Sequence, residues 1–270
     1  MTAKIAAALT GAGAMGGALL RGWLVAGAID PHRSSVFEPA ADDRLTALCR
    51  KGGIALNPPL EAVEADALVL AVKPQMAEAA LPAYQAVASR ALVLSVMAGT
   101  SLATIGRLLG DPPRMARAMP NLAASVGAAV SGLYAPERVG EGDRSMVERL
   151  MSAVGDTVWV MSETAIDVVT AVSGSGPAYF FLLTEALAEA GEAQGLPGDA
   201  AMRLARATAR GAGAVLSGDA DPLSLRSAVT SPGGTTAAAL AVLDGDDQTL
   251  RLLMKKAVAA AARRAAELSK

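Results

Sequence analysis

The sequence predicts an α/β protein in which an N-terminal parallel sheet precedes a C-terminal domain made only of helices. Up to residue 162, short apolar runs without polar alternation are separated by helical patterns, which is typical of parallel strands covered on both faces. Beyond that residue the strand-like runs vanish and long alanine-rich helical patterns take over. A length of 270 residues favours two domains, which we place at residues 1–162 and 163–270.

The predicted elements follow the apolar runs in chain order. The strands are residues 4–10, 35–38, 67–72, 91–96, 114–118 and 157–161. Helices are predicted around residues 18–24, after the first strand, and 41–51, after the second. The helices of the second domain are separated by turns at residues 195–197, 218–219, 232–234 and 245–246.

Several helices of the second domain are apolar around most of their circumference, above all between Val168 and Leu187. Such a helix is stabilised by burial on more than one side, and a domain of this size has limited interior for that. We therefore expect these helices to pack against the same domain of a second subunit. The predicted assembly is a homodimer or an oligomer of dimers.

Composition excludes several classes of function. With 24 basic and 26 acidic residues spread along the chain, neither a nucleic acid nor an anionic membrane is an expected partner. The single cysteine, Cys49, and the single histidine, His32, exclude an internal disulfide and a structural zinc site, so we expect no metal. Cys49 lies in an apolar helical pattern and is predicted to be a buried thiol; His32 is predicted to lie on the surface.

The start of the chain superficially resembles a secretory signal, because Lys4 precedes an apolar run at residues 5–9. Four glycines between residues 11 and 17 and then Arg21 interrupt that run, and no uninterrupted apolar run reaches membrane-spanning length. We expect a cytoplasmic protein that acts on a diffusible small molecule.

A glycine-rich segment directly follows the first predicted strand and opens the first helix. Its residues are Gly11, Ala12, Gly13, Ala14, Met15 and Gly16. In such a unit the first glycine makes the tight turn, the second lets a pyrophosphate approach the backbone, and the third permits close packing of helix on strand. The context predicts a Rossmann-type dinucleotide site; the alternative is a tight junction without a ligand.

Glu38 ends the second predicted strand, where a dinucleotide site expects an acidic residue that accepts hydrogen bonds from the adenosine ribose. A carboxylate there favours NADH over NADPH, because it repels the additional phosphate. Arg33 and Arg44 are the nearest arginines and could still reach such a phosphate. A solvent-facing glutamate at a strand end is the alternative.

Two further segments follow predicted strands at the edge where open parallel sheets bind ligands. They are Ala71, Val72, Lys73 and Pro74 after the third strand, and Met97, Ala98 and Gly99 after the fourth. We expect both to line the nicotinamide ribose, although a plain surface position would also suit a lysine.

A polar turn with paired glycines separates two helical patterns of the second domain. Its residues are Val229, Thr230, Ser231, Pro232, Gly233, Gly234, Thr235 and Thr236. The proline fixes one dihedral, the glycines leave room for a ligand, and one of the last two threonines can cap the next helix. A carboxylate could bind to the unpaired amides of that helix end; a plain connector is the alternative.

Together these motifs resemble the pyrroline-5-carboxylate reductase family, over nearly the whole chain. The matching segments are residues 11–16, 71–74, 119–121 (Met-Pro-Asn), 173–179 (Ser-Gly-Ser-Gly-Pro-Ala-Tyr) and 230–236. The resemblance implies a Rossmann domain, a helical domain that interlocks with a partner subunit, and reduction of a cyclic imine by NADH or NADPH. The implied reaction converts 1-pyrroline-5-carboxylate to L-proline, the last step of proline biosynthesis.

The resemblance also implies roles for residues of the polar turn. Ser231, Gly233, Gly234 and Thr235 would hold the substrate carboxylate, and the catalytic Thr236 would hydrogen-bond the ring nitrogen. Hydride addition becomes easier as that nitrogen gains a proton, and a threonine hydroxyl is a weak acid. We therefore expect protonation from solvent, with the hydroxyl orienting the imine or relaying the proton through water. The carboxylate clamp would supply proximity to the nicotinamide.

Two further residues and one further segment are considered for a role in the site or in the fold. Glu163 resembles a substrate-contacting residue, although a glutamate at a helix start also has a structural role. Asp219 stands where some relatives are expected to have glutamate, which leaves its role open. The segment from Ser173 to Pro177 is expected to be a structural kink with close helix approach.

Two other function classes remain as alternatives. A β-hydroxyacid dehydrogenase would use a lysine of its second domain, but no lysine lies between Glu163 and Met254. A non-catalytic dinucleotide sensor would need no site for a small carboxylate. An assay of NADH oxidation with and without pyrroline-5-carboxylate separates the three classes.

Overall fold

The computed structural model describes residues 4–269 and divides them into two compact units. The first unit contains residues 4–175 together with 261–269, and the second contains residues 176–260. The last helix therefore starts in the second unit and ends in the first.

The first unit is built on one eight-stranded sheet in the order β3-β2-β1-β4-β5-β6-β7-β8. The strands are β1 (Ala7–Thr10), β2 (Ser35–Phe37), β3 (Ala55–Leu56), β4 (Ala67–Leu70), β5 (Leu92–Ser95), β6 (Met115–Met119), β7 (Ala129–Tyr134) and β8 (Gly155–Trp159). Neighbouring strands pair in parallel except for β6 with β7. The predicted α/β fold with a mostly parallel sheet is confirmed.

Helices connect and follow these strands. In the first unit they are α1 (Ala14–Ala26), α2 (Asp43–Gly52), α3 (Ala77–Ala80), α4 (Gln85–Ala88), α5 (Leu102–Leu109), α6 (Glu141–Ser152) and α7 (Ala165–Val169). The second unit contains α8 (Gly176–Ala193), α9 (Gly198–Leu216), α10 (Pro222–Ala228), α11 (Thr235–Asp244) and the start of α12 (Thr249–Leu268).

The structure adds two strands to the sequence prediction and shifts the ends of the predicted strands by one to three residues. Strands β3 and β7 are additional, and β8 begins at Gly155 rather than at residue 157. Strand β7 contains Ser131 and Gly132 instead of an unbroken apolar run, so its pattern is weak. Because β7 runs antiparallel to β6, the sheet is not parallel throughout.

The sheet of the first unit is covered on both faces by separate apolar clusters. Alternate residues of one strand enter different clusters: Ala7 and Leu9 lie in one, and Ala8 lies in the other. Trp23 of α1 is fully buried, and its indole nitrogen donates to the Leu150 carbonyl oxygen at 2.8 Å. Cys49 is buried as predicted, and burial raises the pKa of its thiol, which keeps it protonated.

The second unit has few buried residues. Helices α8 and α9 contact each other through small side chains, because Ala188, Ala201 and Ala205 are the buried alanines there. Large apolar side chains remain exposed on the same helices; Phe180 is 65% exposed. The continuous helical stretch Ala165–Ala193 has a mean hydropathy of 1.4 and is long enough to cross a bilayer. Length and composition alone support that possibility, and a single helix of this kind is weak evidence for a membrane span.

Candidate functional site

The glycine-rich turn after β1 has the geometry that a dinucleotide pyrophosphate requires. Gly11 has φ +81°, and a Cβ there would lie 2.7 Å from the Ala71 carbonyl oxygen. A Cβ on Gly16 would lie 2.0 Å from the Gly11 carbonyl oxygen, so helix and strand approach too closely for a side chain. Gly13, by contrast, is exposed, and a Cβ there would meet no atom within 4 Å.

The start of α1 is therefore open. Gly13 occupies the N-cap position, and no side chain caps the helix. The first amides of a helix lack intrahelical acceptors and carry partial positive charge, which suits a phosphate. Ala12, Ala14 and Met15 are at least partly exposed around this opening. The residues present thus fit a dinucleotide.

Glu38 lies against the same turn. Its carboxylate accepts hydrogen bonds from the Ala12 amide at 2.9 Å and the Ala40 amide at 3.2 Å. Burial, and secondarily the charge of Glu38, raises the pKa of the Tyr84 hydroxyl. Arg33, one of the two nearby arginines in the sequence, forms an ion pair with Asp66 at 3.9 Å.

The two predicted edge segments follow β4 and β5, which are neighbours in the sheet. Ala71 and Val72 are half-buried, and Lys73 and Pro74 are exposed. After β5, Met97 is buried, Ala98 is exposed and Gly99 is half-buried with φ +61°. A Cβ on Gly99 would lie 3.1 Å from Cβ of Leu268, at the end of α12. Both segments thus lie at the carboxyl edge of the sheet.

The polar turn before α11 is a type II turn in its residue pattern. The Gly234 amide donates to the Ser231 carbonyl oxygen at 3.0 Å, with Pro232 second and Gly233 third in the turn. Gly233 has φ +70°, and a Cβ there would meet open space. A Cβ on Gly234 would lie 2.4 Å from the Ser231 hydroxyl oxygen, so that hydroxyl sits directly against the glycine.

The expectation that Thr235 or Thr236 caps α11 is wrong. Gly234 is the N-cap, no side chain caps the helix, and the two threonines occupy its first two positions. The first turn also contains no acidic residue. Since the threonines do not cap, the amides of the first turn and both hydroxyls remain available to an anionic ligand.

An ion-pair network lies beside the polar turn, within the second unit. Asp244, at the end of α11, contacts Arg226 of α10 at 3.4 Å and Arg251 of α12 at 2.7 Å. The side chain of Asp244 is only 14% exposed. The Arg226 carbonyl oxygen in turn accepts from the Thr230 hydroxyl at 2.6 Å, which ties the network to the first residues of the turn.

Glu163 lies in the first unit and is held by two donors. Its Oε1 accepts from the Leu102 amide at the start of α5, at 2.6 Å, and from the Arg117 guanidinium at 3.1 Å. Arg117 is 3% exposed, on β6. Among the hydrogen bonds found in residues 4–269, none reaches Oε2 of Glu163. Sequence reasoning missed the arginine, although a lone charge inside the apolar run Met-Ala-Arg-Ala-Met was a usable signal.

The two other motifs meet within the first unit. Residues 170–174 form a π-helical turn between α7 and α8, closed by the Ser175 amide donating to the Thr170 carbonyl oxygen at 2.8 Å. The Asn121 amide nitrogen donates to the Ser173 carbonyl oxygen at 3.1 Å. A Cβ on Gly174 would lie 3.1 Å from Met119 Cε. The glycine thus allows the close approach expected there, although the break is a π-helical turn rather than a simple kink.

The described residues contain no group of three or more histidine, cysteine, aspartate or glutamate side chains that could hold a metal ion. Asp219 lies in the exposed connection between α9 and α10. His32 is exposed in a short 3-10 turn.

A Rossmann-type sheet with an open glycine turn defines the class of the protein, an NAD(P)-dependent oxidoreductase. The family model for NADP oxidoreductases that are coenzyme F420-dependent matches residues 6–99. The model for pyrroline-5-carboxylate reductase dimerisation matches residues 163–268.

Whole-chain relatives give the family. A pyrroline-5-carboxylate reductase of Pseudomonas aeruginosa is 39% identical, over 97% of this chain and 96% of that protein. One of Methanosarcina acetivorans is 36% identical, over 96% of each. The solved reductase of Coxiella burnetii has a TM-score of 0.90 at 38% identity, covering 99% of this chain and 100% of that one.

The chain belongs to the pyrroline-5-carboxylate reductase family. A Plasmodium falciparum pyrroline carboxylate reductase solved with NADP bound has a TM-score of 0.80 at 26% identity, covering 98% of each chain. Of the three function classes that the sequence leaves open, these comparisons support the reductase.

Proposed function

We propose that this chain reduces 1-pyrroline-5-carboxylate to L-proline, with Thr236 as the catalytic residue and the polar turn from Ser231 to Thr235 as the carboxylate site. The single observation that carries the carboxylate site is the uncapped start of α11 behind an open glycine; the identity of the substrate follows from the family. Residues 11–16 would hold the dinucleotide, which would supply the hydride for the imine carbon, while the ring nitrogen would take up one proton.

The turn binds the substrate carboxylate through backbone amides and hydroxyls. The partial positive charge at the start of α11 attracts the anion. Gly233 leaves space for it, and Gly234 lets the Ser231 hydroxyl lie against the turn. Thr235 adds a hydroxyl at the first helical position. None of these groups titrates near neutral pH, so carboxylate binding depends little on pH in that range.

Thr236 is proposed to form a hydrogen bond with the ring nitrogen. As a half-buried residue in the second helical position, it can donate a hydrogen bond to the imine nitrogen or hold a water that does. Because a threonine hydroxyl is a weak acid, the proton comes ultimately from solvent. Its contribution is to favour the protonated, more electrophilic imine in the orientation fixed by the carboxylate.

The direct test measures NADH oxidation with and without pyrroline-5-carboxylate and quantifies the proline formed. The proposal expects oxidation only with the imine, with one proline for each NADH. Oxidation with a β-hydroxyacid partner instead would favour the dehydrogenase class. Tight NADH binding without turnover on any imine would favour a sensor.

For the cofactor, use of NADH or NADPH follows from the family, and we propose a preference for NADH. The Glu38 carboxylate is fixed beside the glycine turn by two amides, where it would accept from the ribose hydroxyls and repel a ribose phosphate. Arg33 is engaged with Asp66. Wild-type kcat/KM is expected to be higher with NADH than with NADPH. Glu38→Ser is expected to lower the ratio of these two kcat/KM values. A clear NADPH advantage in the wild type would refute the preference.

Glu163 is proposed to contact the substrate through Oε2, since Oε1 is already committed to Arg117 and the α5 amide. That arrangement would let the residue serve both structure and substrate. Glu163→Gln keeps the shape of the side chain; an unchanged KM for the imine in a folded variant would leave only the structural role.

We also propose that residues 1–162 form the cofactor domain, residues 163–270 the substrate and dimerisation domain, and the cytoplasm the place of action. The match to a dimerisation family at 163–268 supports the domain boundary. The exposed apolar side chains of α8 support a homodimer, alone or within a larger assembly. Light scattering at micromolar concentration is expected to give at least a dimer, and a strict monomer would refute this part.

A further inference from the structure

One segment that is proposed to line the cofactor has few hydrogen bonds of its own. It consists of Met97, Ala98 and Gly99, directly after β5 and Val96. The Met97 amide donates to the Ser95 hydroxyl at 3.2 Å, a bond between near neighbours in the chain. Among the hydrogen bonds found in the described part of the chain, none uses the amide of Ala98 or of Gly99. The conformation of this segment therefore depends mainly on what packs against it.

The end of α12 belongs to the first unit and packs against this segment. Residues 261–269 are part of that unit, and Ala265 is buried there. A Cβ added to Gly99 would lie 3.1 Å from Leu268 Cβ and 3.2 Å from the Leu268 carbonyl oxygen. We name residues 265–269 the helix tip. The helix tip thus lies directly against the backbone of the cofactor-lining segment.

A hydrogen bond to α7 anchors the helix tip. The Ser269 hydroxyl oxygen lies 3.0 Å from Asp167 Oδ1 and 3.0 Å from the Ala265 carbonyl oxygen. The carboxylate is the stronger of the two acceptors, because it is charged. Ser269 and Asp167 are both half-buried. The bond joins residues 102 positions apart and ties the end of α12 to α7.

The same stretch of chain also holds the residue that follows the segment into α5. Glu163, four positions before Asp167, accepts a hydrogen bond from the Leu102 amide at 2.6 Å. Leu102 is the first residue of α5, three positions after Gly99. Two carboxylates thus hold the segment: Glu163 acts at the start of α5, and Asp167 acts through the helix tip.

We propose that the helix tip is a positioning element for the cofactor, in which Ser269 acts through Asp167 to hold the Met97–Gly99 segment in its binding conformation. The inference rests on the cofactor site proposed above and adds what keeps one part of that site in place. Binding to a preformed segment costs less conformational entropy than binding to one that must first be ordered. A loosened helix tip is therefore expected to weaken NADH binding more than it slows the chemical step.

Two substitutions remove the anchor, one from each side. Ser269→Ala deletes the hydroxyl, and Asp167→Ala deletes the carboxylate. Each is expected to raise the dissociation constant and the KM for NADH about fivefold, while kcat and the KM for the imine change less than about twofold. The double variant is expected to bind NADH as either single variant does, because both changes remove the same bond. Fluorescence titration gives the dissociation constant, and steady-state kinetics gives the other quantities.

Two further variants serve as controls. Ser269→Thr retains the hydroxyl and is expected to keep the wild-type affinity for NADH. Arg264→Ala combined with Glu267→Ala removes an exposed ion pair of 2.9 Å at the same end of α12 and is expected to leave NADH binding unchanged. In hydrogen exchange without ligand, residues 97–102 are expected to exchange faster in Ser269→Ala than in the wild type or the ion-pair control.

The kinetic pattern separates positioning from a merely structural role. A structural role would lower kcat, through loss of folded enzyme, and leave the KM for NADH unchanged. That pattern would overturn the inference, as would unchanged NADH affinity in both single variants or effects that add in the double variant. A wild type that does not bind NADH would refute the proposed cofactor site and the inference with it. That outcome is read from the unsubstituted protein, so the two failures are distinguishable.

Discussion

The two units of this chain differ in how much of their apolar surface they bury themselves. In the first, whole strands such as β4 and β5 are buried at every residue, and two clusters cover the sheet. In the second, burial along α8 is limited to Gly176 and Ala188, and phenylalanines and leucines of that helix remain exposed. The first unit thus has its own core, whereas the second is suited to completion by another copy.

The difference extends to function. The first unit presents a glycine turn that fits a dinucleotide, with close backbone contacts that leave no room for a side chain at Gly11 or Gly16. The second presents a polar turn held by one turn hydrogen bond and a partly exposed ion-pair network. The proposed cofactor site and the proposed substrate site therefore lie in different units, and the following predictions test that separation.

The largest expected effect is on the stability of the first unit. Glu163→Gln leaves the nearly buried Arg117 without its counter-charge, which is expected to lower the free energy of unfolding by about 3 kcal/mol. Denaturant unfolding followed by tryptophan fluorescence measures this. Adding Arg117→Met should recover most of the loss, because an apolar replacement removes the unpaired charge. Unchanged stability in the Glu163→Gln variant would show that the Glu163–Arg117 pair contributes nothing to the free energy of unfolding.

The second prediction concerns chemistry in the second unit. Thr236→Ala is expected to lower kcat about a hundredfold, or about 2.7 kcal/mol. The dissociation constant of NADH is expected to stay unchanged, because the proposed cofactor contacts lie in the first unit. Thr236→Ser retains the hydroxyl and is expected to keep most of the activity. Stopped-flow and NADH fluorescence titration separate the two quantities. Normal turnover in the alanine variant would remove Thr236 from the mechanism.

The third prediction compares two glycines of the cofactor turn. Gly11→Ala introduces a side chain at φ +81° against the Ala71 carbonyl oxygen, and the backbone strain alone costs about 1–2 kcal/mol. Gly13→Ala is the matched control, since its Cβ meets no atom within 4 Å. It is expected to keep the stability and weaken NADH binding by occupying the approach to the pyrophosphate. Equal stability of the two variants would contradict the geometry of this turn.

The smallest expected effect is in the ion-pair network of the second unit. Asp244→Asn weakens contacts to Arg226 and Arg251, which are about half exposed, so the expected loss of stability is about 1 kcal/mol. The KM for pyrroline-5-carboxylate should rise while that for NADH stays unchanged, because only the polar turn is loosened. Steady-state kinetics with both substrates varied provides the measurement. Parallel changes in both KM values would argue against a local effect.

The sequence predicted the strands whose residues are both apolar and buried. Strands β1, β2, β4, β5 and β6 are buried over their whole length or nearly so, and continuous apolar runs predicted them. Strand β3 has only two residues, too few to produce a pattern. Strand β7 was missed because its glycine accommodates Val169 of α7 and its serine is a buried polar residue, both invisible to an apolar pattern.

At the candidate site, the sequence predicted the local motifs more completely than the contacts between individual residues. The glycine turn and the polar turn are local, so spacing alone located them. The cap of α11 was assigned to a threonine because threonine is a common N-cap residue, but the type II turn makes Gly234 the N-cap instead. The Arg117 contact to Glu163 joins residues 46 positions apart, and no local pattern encodes such a pair.

The central claim is that the cofactor binds to the first unit and the substrate to the second. Hydrogen exchange measured by mass spectrometry tests this claim most directly, once with saturating NADH and once with saturating L-proline. The account predicts that NADH slows exchange of the amides at residues 11–16, in the first unit. Proline, the product, is predicted to slow exchange at residues 231–237, in the second. Proline protection confined to the first unit, with residues 231–237 exchanging as in the free protein, would contradict the account.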